Sequence, residues 1–213
     1  FSYGGWHYGE AAGFSGKSVF VRIAQFAVAA DAARRLPLAQ AFVSGKIANG
    51  RTLVRRNATE PPRAELARLK HLSHQALRTE PEDTLLGVEG TAARVYFEQY
   101  AKLLSPPKDT GAFDWQGRNR RPPRDPVNAL LSLGYALLLK DVRIALCAAG
   151  FDPMVGFSHK PRHGRPALAL DLMEEFRPLV VDSLVLRVIN MGIVQASDFT
   201  RAAEAVALND SGR

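Results

Sequence analysis

Residues 125–150 read DPVNALLSLGYALLLKDVRIALCAAG, and this stretch decides the fold class. Asp125-Pro126 opens a helix, because proline is at home in a first turn whose N–H groups have no partner. From Val127 to Ala149 the segment is apolar nearly all round, which predicts a central, buried helix. Gly150 stops it. The densest apolar run, Ala129–Leu139, is about half of the roughly 20 residues that a membrane span needs, and Lys140 and Asp141 follow it.

Working outward, Phe151–Pro166 is rich in glycine and proline and predicts a loop. A further helix is expected over Ala167–Asn190, with a break near Pro178, and a last short helix over Ser197–Ala207. On the other side, Ser105–Asp125 carries Pro, Gly, Asn and Arg and predicts a second loop. Before it, apolar residues at three- and four-residue spacing predict four helices. The first starts at Lys17 and presents Val19, Phe20, Ile23 and Phe26. The second is capped by Asp31 and runs to Asn57, with Pro37 a point of kinking or restart. The third covers Pro62–Leu77, with Leu66, Leu69 and Leu72 on one face. The fourth covers Leu85–Leu104, with Asp83 and Thr84 as caps. Phe1–Gly16, where aromatics alternate with glycines, reads as a strand or extended connector. Such a piece forms no sheet alone, so sequence upstream of it is expected. The fold class is therefore mainly α, with a short extended or β remnant at the N-terminus. The division is 1–16 for that remnant and linker and 17–213 for a helical domain.

The chain has 213 residues, 46% apolar and 23% charged, which excludes wholesale disorder. A single cysteine, Cys147, forbids an internal disulfide and a multi-cysteine zinc site. No signal peptide is evident, and a cytoplasmic location is the expectation. The formal net charge of +7 leans towards a polyanionic partner. Arginines cluster at Arg51, Arg55 and Arg56, and again at Arg118, Arg120, Arg121 and Arg124. The planar guanidinium suits phosphate.

Three polar features sit awkwardly in a purely structural account. Glu89 lies on an otherwise apolar face, beside Gly90; a carboxylate there is costly unless paired or metal-bound. The loop GFSHKPRHGRP offers His159 and His163 among Lys160, Arg162 and Arg165. Pro161 and Gly164 argue against a helix that would make the two histidines joint ligands. In LALDLMEEFRP, Asp171 and Glu174 share one helix face and Glu175 lies four residues from Asp171. Carboxylates from two helices and one imidazole make an oxygen-rich set, suited to magnesium or manganese.

The stretch from Asp125 to Asn190, together with GVEGTAARVYF and KIANGRTLVRRN, closely resembles the CRISPR-associated Cas one family, the integrase of spacer acquisition in antiviral defence. The resemblance covers roughly Gly4–Asn190. It implies the helical C-terminal domain of that fold, with the N-terminal β-domain largely absent. It implies a metal-dependent DNA endonuclease and integrase, in which a DNA 3′ hydroxyl attacks a phosphodiester at a repeat boundary. The family's metal ligands fall on Glu89, His159 and Glu174, with Mg2+ or Mn2+ as the ion; Asp171 matches a further acidic position lining the site, to orient a ligand or take a proton. His163 matches no ligand position. Arg51, Arg55, Arg56, Arg120, Arg121, Arg162 and Arg165 are the candidates for holding the DNA backbone. The implied partners are double-stranded and branched DNA, a second copy in the full-length protein and the small second Cas protein, with no membrane. Two other readings stand beside this one: a plain metal-dependent, structure-selective nuclease, and a DNA-binding helical module without catalysis of its own.

Overall fold

The structure is a computed structural model that describes residues 19–80, 82–108, 113, 115, 117–119, 122–159 and 162–210. The connector expected over Phe1–Gly16 lies outside the described residues, as do Arg120 and Arg121.

The fold is mainly helical: α1 (Val19–Ala30), α2 (Ala32–Asn57), α3 (Arg63–Ala76), α4 (Glu82–Leu103), α5 (Pro126–Ala148), α6 (Ala167–Phe176) and α7 (Ser183–Asn190). A π-helical segment, Arg177–Asp182, joins α6 to α7 without a break in the chain's helical course. Asp31 ends α1 and starts α2, its carboxylate accepting from the N–H groups of Ala33 and Arg34 at 2.9 and 3.3 Å. Pro37 sits inside α2 and does not end it. Helix α4 begins at Glu82, so Asp83 and Thr84 fall in its first turn instead of preceding it as caps.

Helix α2 is the hub, packed against α1, α3, α4, α6 and the π segment. On α3 the expected face is real: Leu66, Leu69 and Leu72 are all buried against it, each contributing about 2 kcal/mol. The main core adds Val88, Val95 and Tyr100 of α4, Val127 and Leu131 of α5, and Ile189 of α7. A second cluster gathers Val142 and Leu146 of α5 with Phe157, Leu168 and Met173.

Helix α5 corrects the expectation of a wholly buried helix. Its first turns are buried, but Leu137 and Ile144 face outward at 40% and 53% exposure. Its burial comes mainly from one side. The apolar face expected on α1 is likewise exposed, with Phe20 at 79%. The break foreseen near Pro178 takes the form of the π segment. Proline has no N–H to give to the preceding turn, and the ladder resumes with Ser183 N–H reaching the Pro178 carbonyl, five residues back.

The last expected helix, Ser197–Ala207, is instead an antiparallel hairpin, β1 (Phe199–Ala202) with β2 (Ala205–Leu208). The two turn residues are Ala203 and Glu204, and Ala203 takes the left-handed φ of +53°. Tertiary contacts outweigh the helix preference of the alanines. Val206 is buried and its N–H reaches the Pro123 carbonyl at 2.8 Å, while Phe199 stacks edge-on against Phe113.

Candidate metal centre

Four elements converge on one cluster of charge. Lys46 lies on α2, in the turn where Gly45 lets α6 approach; a Cβ at Gly45 would stand 3.0 Å from Glu175 Oε2. The Lys46 Nζ reaches Glu89 Oε1 on α4 at 2.5 Å and Glu174 Oε2 on α6 at 2.7 Å. The first contact is an aligned hydrogen bond, whereas the second is an ion pair without hydrogen-bond alignment. Arg177, from the first position of the π segment, reaches the other Glu174 oxygen at 3.0 Å. It also lies over the Tyr135 ring, 4.8 Å from its centre.

Burial opposes ionisation of Glu174, yet the adjacent Lys46 and Arg177 charges hold its carboxyl below the ordinary value. Burial likewise works against the Lys46 ammonium, and the carboxylates of Glu174 and Glu89 outweigh it, raising its pKa. Glu174 and Lys46 are therefore both held in their charged forms.

His159 lies on the loop between α5 and α6. The loop is fixed by Asp171, which is completely buried. One Asp171 oxygen accepts from the Phe157 and Ser158 N–H groups at 2.6 and 3.0 Å; the other accepts from the His159 N–H at 2.8 Å and contacts His159 Nδ1 at 2.6 Å. With Nδ1 donating to the carboxylate, Nε2 of the ring is left as the free donor atom for a ligand. Gly156 makes this packing possible, since a Cβ there would lie 2.6 Å from Asp171 Oδ2 and 2.7 Å from the Ala167 carbonyl carbon. Gln25, buried on α1, braces the same loop. It donates to the carbonyls of Asp152 and Val155, both at 2.7 Å, and accepts from the Asp152 N–H at 2.9 Å.

Beside the charged cluster lies a small cavity of about 60 Å3, lined by Lys46, Glu89, Tyr96, Arg118, Tyr135 and Asp182 among others. At its far side Asp182 is buried among hydroxyls: Tyr135 donates to Oδ1 at 2.5 Å and Tyr96 to Oδ2 at 2.6 Å. Burial pushes the Asp182 carboxyl up to about 6, the two hydroxyls partly offsetting it. Burial, reinforced by the Asp182 charge, pushes both tyrosines well up.

Lys46 thus joins Glu89 to Glu174, and Asp171 contacts His159. Asp171 faces the loop backbone and the imidazole; its atoms are spent on positioning His159. Gly90 has no protein atom within 4 Å of where its Cβ would be, so its neighbourhood is open. His163 is exposed in the loop. Of the arginines, Arg55 and Arg56 are exposed in the last turn of α2 and Arg162 is exposed in the loop, while Arg165 is half-buried. Arg51 is engaged: its Nε donates to the Leu66 carbonyl at 2.9 Å, tying α2 to α3. Sequence reasoning missed Lys46, Arg177, Asp182 and Gln25. The first of these opens the quoted motif KIANGRTLVRRN, which was its only signal.

Among the described residues, no three His, Cys, Asp or Glu side chains stand close enough together to hold one ion as placed. Lys46 Nζ occupies the space between the two carboxylates. The donor set nonetheless fits a divalent cation: two carboxylates from different helices already share a cation, and a buried, backbone-bonded aspartate fixes the tautomer of the adjacent imidazole.

The family model for CRISPR associated protein Cas1 matches residues 1–213. The chain belongs to this family. It is 44% identical over 220 residues to a Cas4/endonuclease Cas1 fusion of Geobacter sulfurreducens, covering all of this chain and 39% of that protein. It is 48% identical over 183 residues to a CRISPR-associated endonuclease Cas1 of Thermus thermophilus, covering 86% of this chain and 52% of that one. The chain thus spans about half or less of these relatives' length. Among solved structures, a Cas1 protein from Thermotoga maritima superposes with a TM-score of 0.83 at 27% identity, covering 100% of this chain and 66% of that one. A casposase bound to integration product gives 0.77 at 26% identity, covering 92% and 54%. The helical body described above therefore matches the Cas1 helical domain.

Proposed function

We propose that the protein carrying this chain is a metal-dependent DNA integrase and endonuclease of CRISPR adaptation, inserting captured DNA fragments into a repeat array. The observation that carries this reading is the convergence of Glu89 and Glu174 on a single cation position; Asp171 holds the imidazole of His159 on the loop before α6. Relatives named as Cas1 endonucleases and the likeness to a casposase bound to integration product support it.

Glu89, His159 and Glu174 would hold a Mg2+ or Mn2+ ion. When bound, the ion supplies Lewis-acid polarisation of a phosphodiester and lowers the pKa of an attacking 3′ hydroxyl. The chain's own residues do the rest. Asp171 keeps the His159 ring in one tautomer and orientation. Arg177 holds Glu174 from its far side and leaves the oxygen at Lys46 for the ion. Arg55, Arg56, Arg162 and Arg165, with Arg120 and Arg121, would grip phosphates, which gives affinity and position but no base code. The likeness to the partial Cas6-RT-Cas1–Cas2 complex, at a TM-score of 0.83 and 30% identity, supports a small second Cas protein as partner. A second copy of the chain, double-stranded and branched DNA and a cytoplasmic setting complete the reading. No described helix is long and apolar enough to cross a membrane.

A second reading, a DNA-binding module without catalysis, is favoured by the position of Lys46 between the would-be ligands. A strand-transfer assay on branched DNA with Mn2+ separates the two, comparing the full-length protein with its His159→Ala variant. Joined product that vanishes in the variant is the expected result. Joined product that persists would refute the ligand assignment, and salt-sensitive DNA binding without any turnover would establish the binding module.

A further inference from the structure

Lys46 is the one residue at the centre of the cluster that the proposed chemistry does not use. Its ammonium touches Glu89 and Glu174, the two carboxylates proposed as ligands, at 2.5 and 2.7 Å. Both are shorter than an ordinary surface ion pair requires, and the three side chains come from three different helices, α2, α4 and α6. Two carboxylates held this near one another, one of them buried, repel strongly unless a cation lies between them. Arg177 cannot serve for both, since its contact is with the other oxygen of Glu174. A single ammonium and a divalent ion cannot share the space.

We propose that Lys46 is the resident counterion of the metal-free site, and that it must leave the carboxylates for the divalent ion to enter. The inference rests on the metal-site reading above and adds an exchange to it. Lys46 is on a flexible four-carbon stem at the edge of the cavity and is 21% exposed, so rotation of the side chain is the route by which it would withdraw. The site is then never left as two bare carboxylates. Metal affinity is set by a competition internal to the protein, because the binding-competent state is the fraction with Lys46 withdrawn.

The test uses metal alone, without DNA, on the full-length protein. Calorimetric titration of Mn2+ into the wild type and Lys46→Met should show the variant binding about tenfold more tightly, as expected if roughly a tenth of wild-type molecules are competent at any moment. Mg2+, which is diamagnetic, allows a direct readout in the unaltered protein. The Lys46 Nζ resonance, protected from solvent exchange in the metal-free state, should be lost as the ion binds. The metal-free variant should also melt lower than the wild type and recover more on adding Mn2+. Equal or weaker Mn2+ binding by a folded Lys46→Met, or a Lys46 resonance unmoved by bound Mg2+, would overturn the exchange and leave the metal site standing. No Mn2+ binding by either protein would overturn both. If Lys46→Met does not fold, the wild-type resonance decides alone.

Discussion

Glu174 and Asp182 are buried carboxylates on one helical run, yet their surroundings treat them oppositely. Glu174, on α6, meets Lys46 and Arg177 and is held ionised below the ordinary carboxylate range. Asp182, at the end of the π segment, meets the hydroxyls of Tyr96 and Tyr135 and is pushed up to about 6. Burial raises both; the partners decide the outcome. A carboxylate compensated by full charges can exchange one cation for another. One compensated by hydroxyls can only gain or lose a proton. The π segment is what separates them, its first residue, Arg177, reaching back to Glu174 and its last, Asp182, meeting the two tyrosines.

The largest effect expected from this contrast is on activity. Glu174→Ala should lower strand transfer about a thousandfold, whereas Asp182→Asn should leave it within about tenfold of wild type, since only the first removes a proposed ligand. Single-turnover joining assays at saturating Mn2+ compare them directly.

Asp171, a third buried carboxylate, differs from both in being compensated mainly by backbone N–H groups. Asp171→Ala should cost about 3 kcal/mol in denaturant unfolding, because three N–H groups in the loop before α6 lose their acceptor. Gly156→Ala attacks the same packing by overfilling, and a loss of about 2 kcal/mol is expected from the short approach to Asp171 and Ala167.

The proton-only character of Asp182 shows in the pH dependence of stability. Its folded value, about 6, lies above its ordinary 3.8. Between these values the folded protein keeps a proton that the unfolded chain has released. Stability from this group is therefore full below pH 3.8 and declines as pH rises towards 6, by up to about 2–3 kcal/mol. Glu174 acts in the reverse sense: its folded value is depressed, so its contribution is present above the ordinary value and is lost as pH falls below it. Asp182→Asn should flatten the slope between pH 4 and 6 and leave the acid limb below pH 4 in place. Unfolding free energies measured across pH 3–7 check this.

The helical body was legible because its faces carry regular apolar spacing: Leu66, Leu69 and Leu72 need no more than that. The long contiguous motifs pointed to Glu89, His159 and Glu174, and Asp125-Pro126 opened α5 as read, Asp125 accepting from the Asn128 N–H at 2.8 Å. The hairpin at Phe199–Leu208 was not legible, because its alanines favour helix and its pairing is set by contacts with Pro123 and Phe113, remote in sequence. Lys46 and Arg177 were invisible as site residues for a similar reason. Each is an ordinary helix cation until α2, α4 and the π segment meet. Asp182 gave no signal because its partners Tyr96 and Tyr135 lie 86 and 47 residues away.

The central claim is that Glu89, His159 and Glu174 are the ligands of one divalent ion. Anomalous diffraction from crystals of the full-length protein soaked in Mn2+ tests it most directly. A single strong peak is expected within bonding distance of Glu89, Glu174 and the His159 Nε2, with Lys46 withdrawn from both carboxylates. A peak elsewhere, or Lys46 still bridging Glu89 and Glu174 in crystals whose protein joins DNA in the same Mn2+, would contradict it.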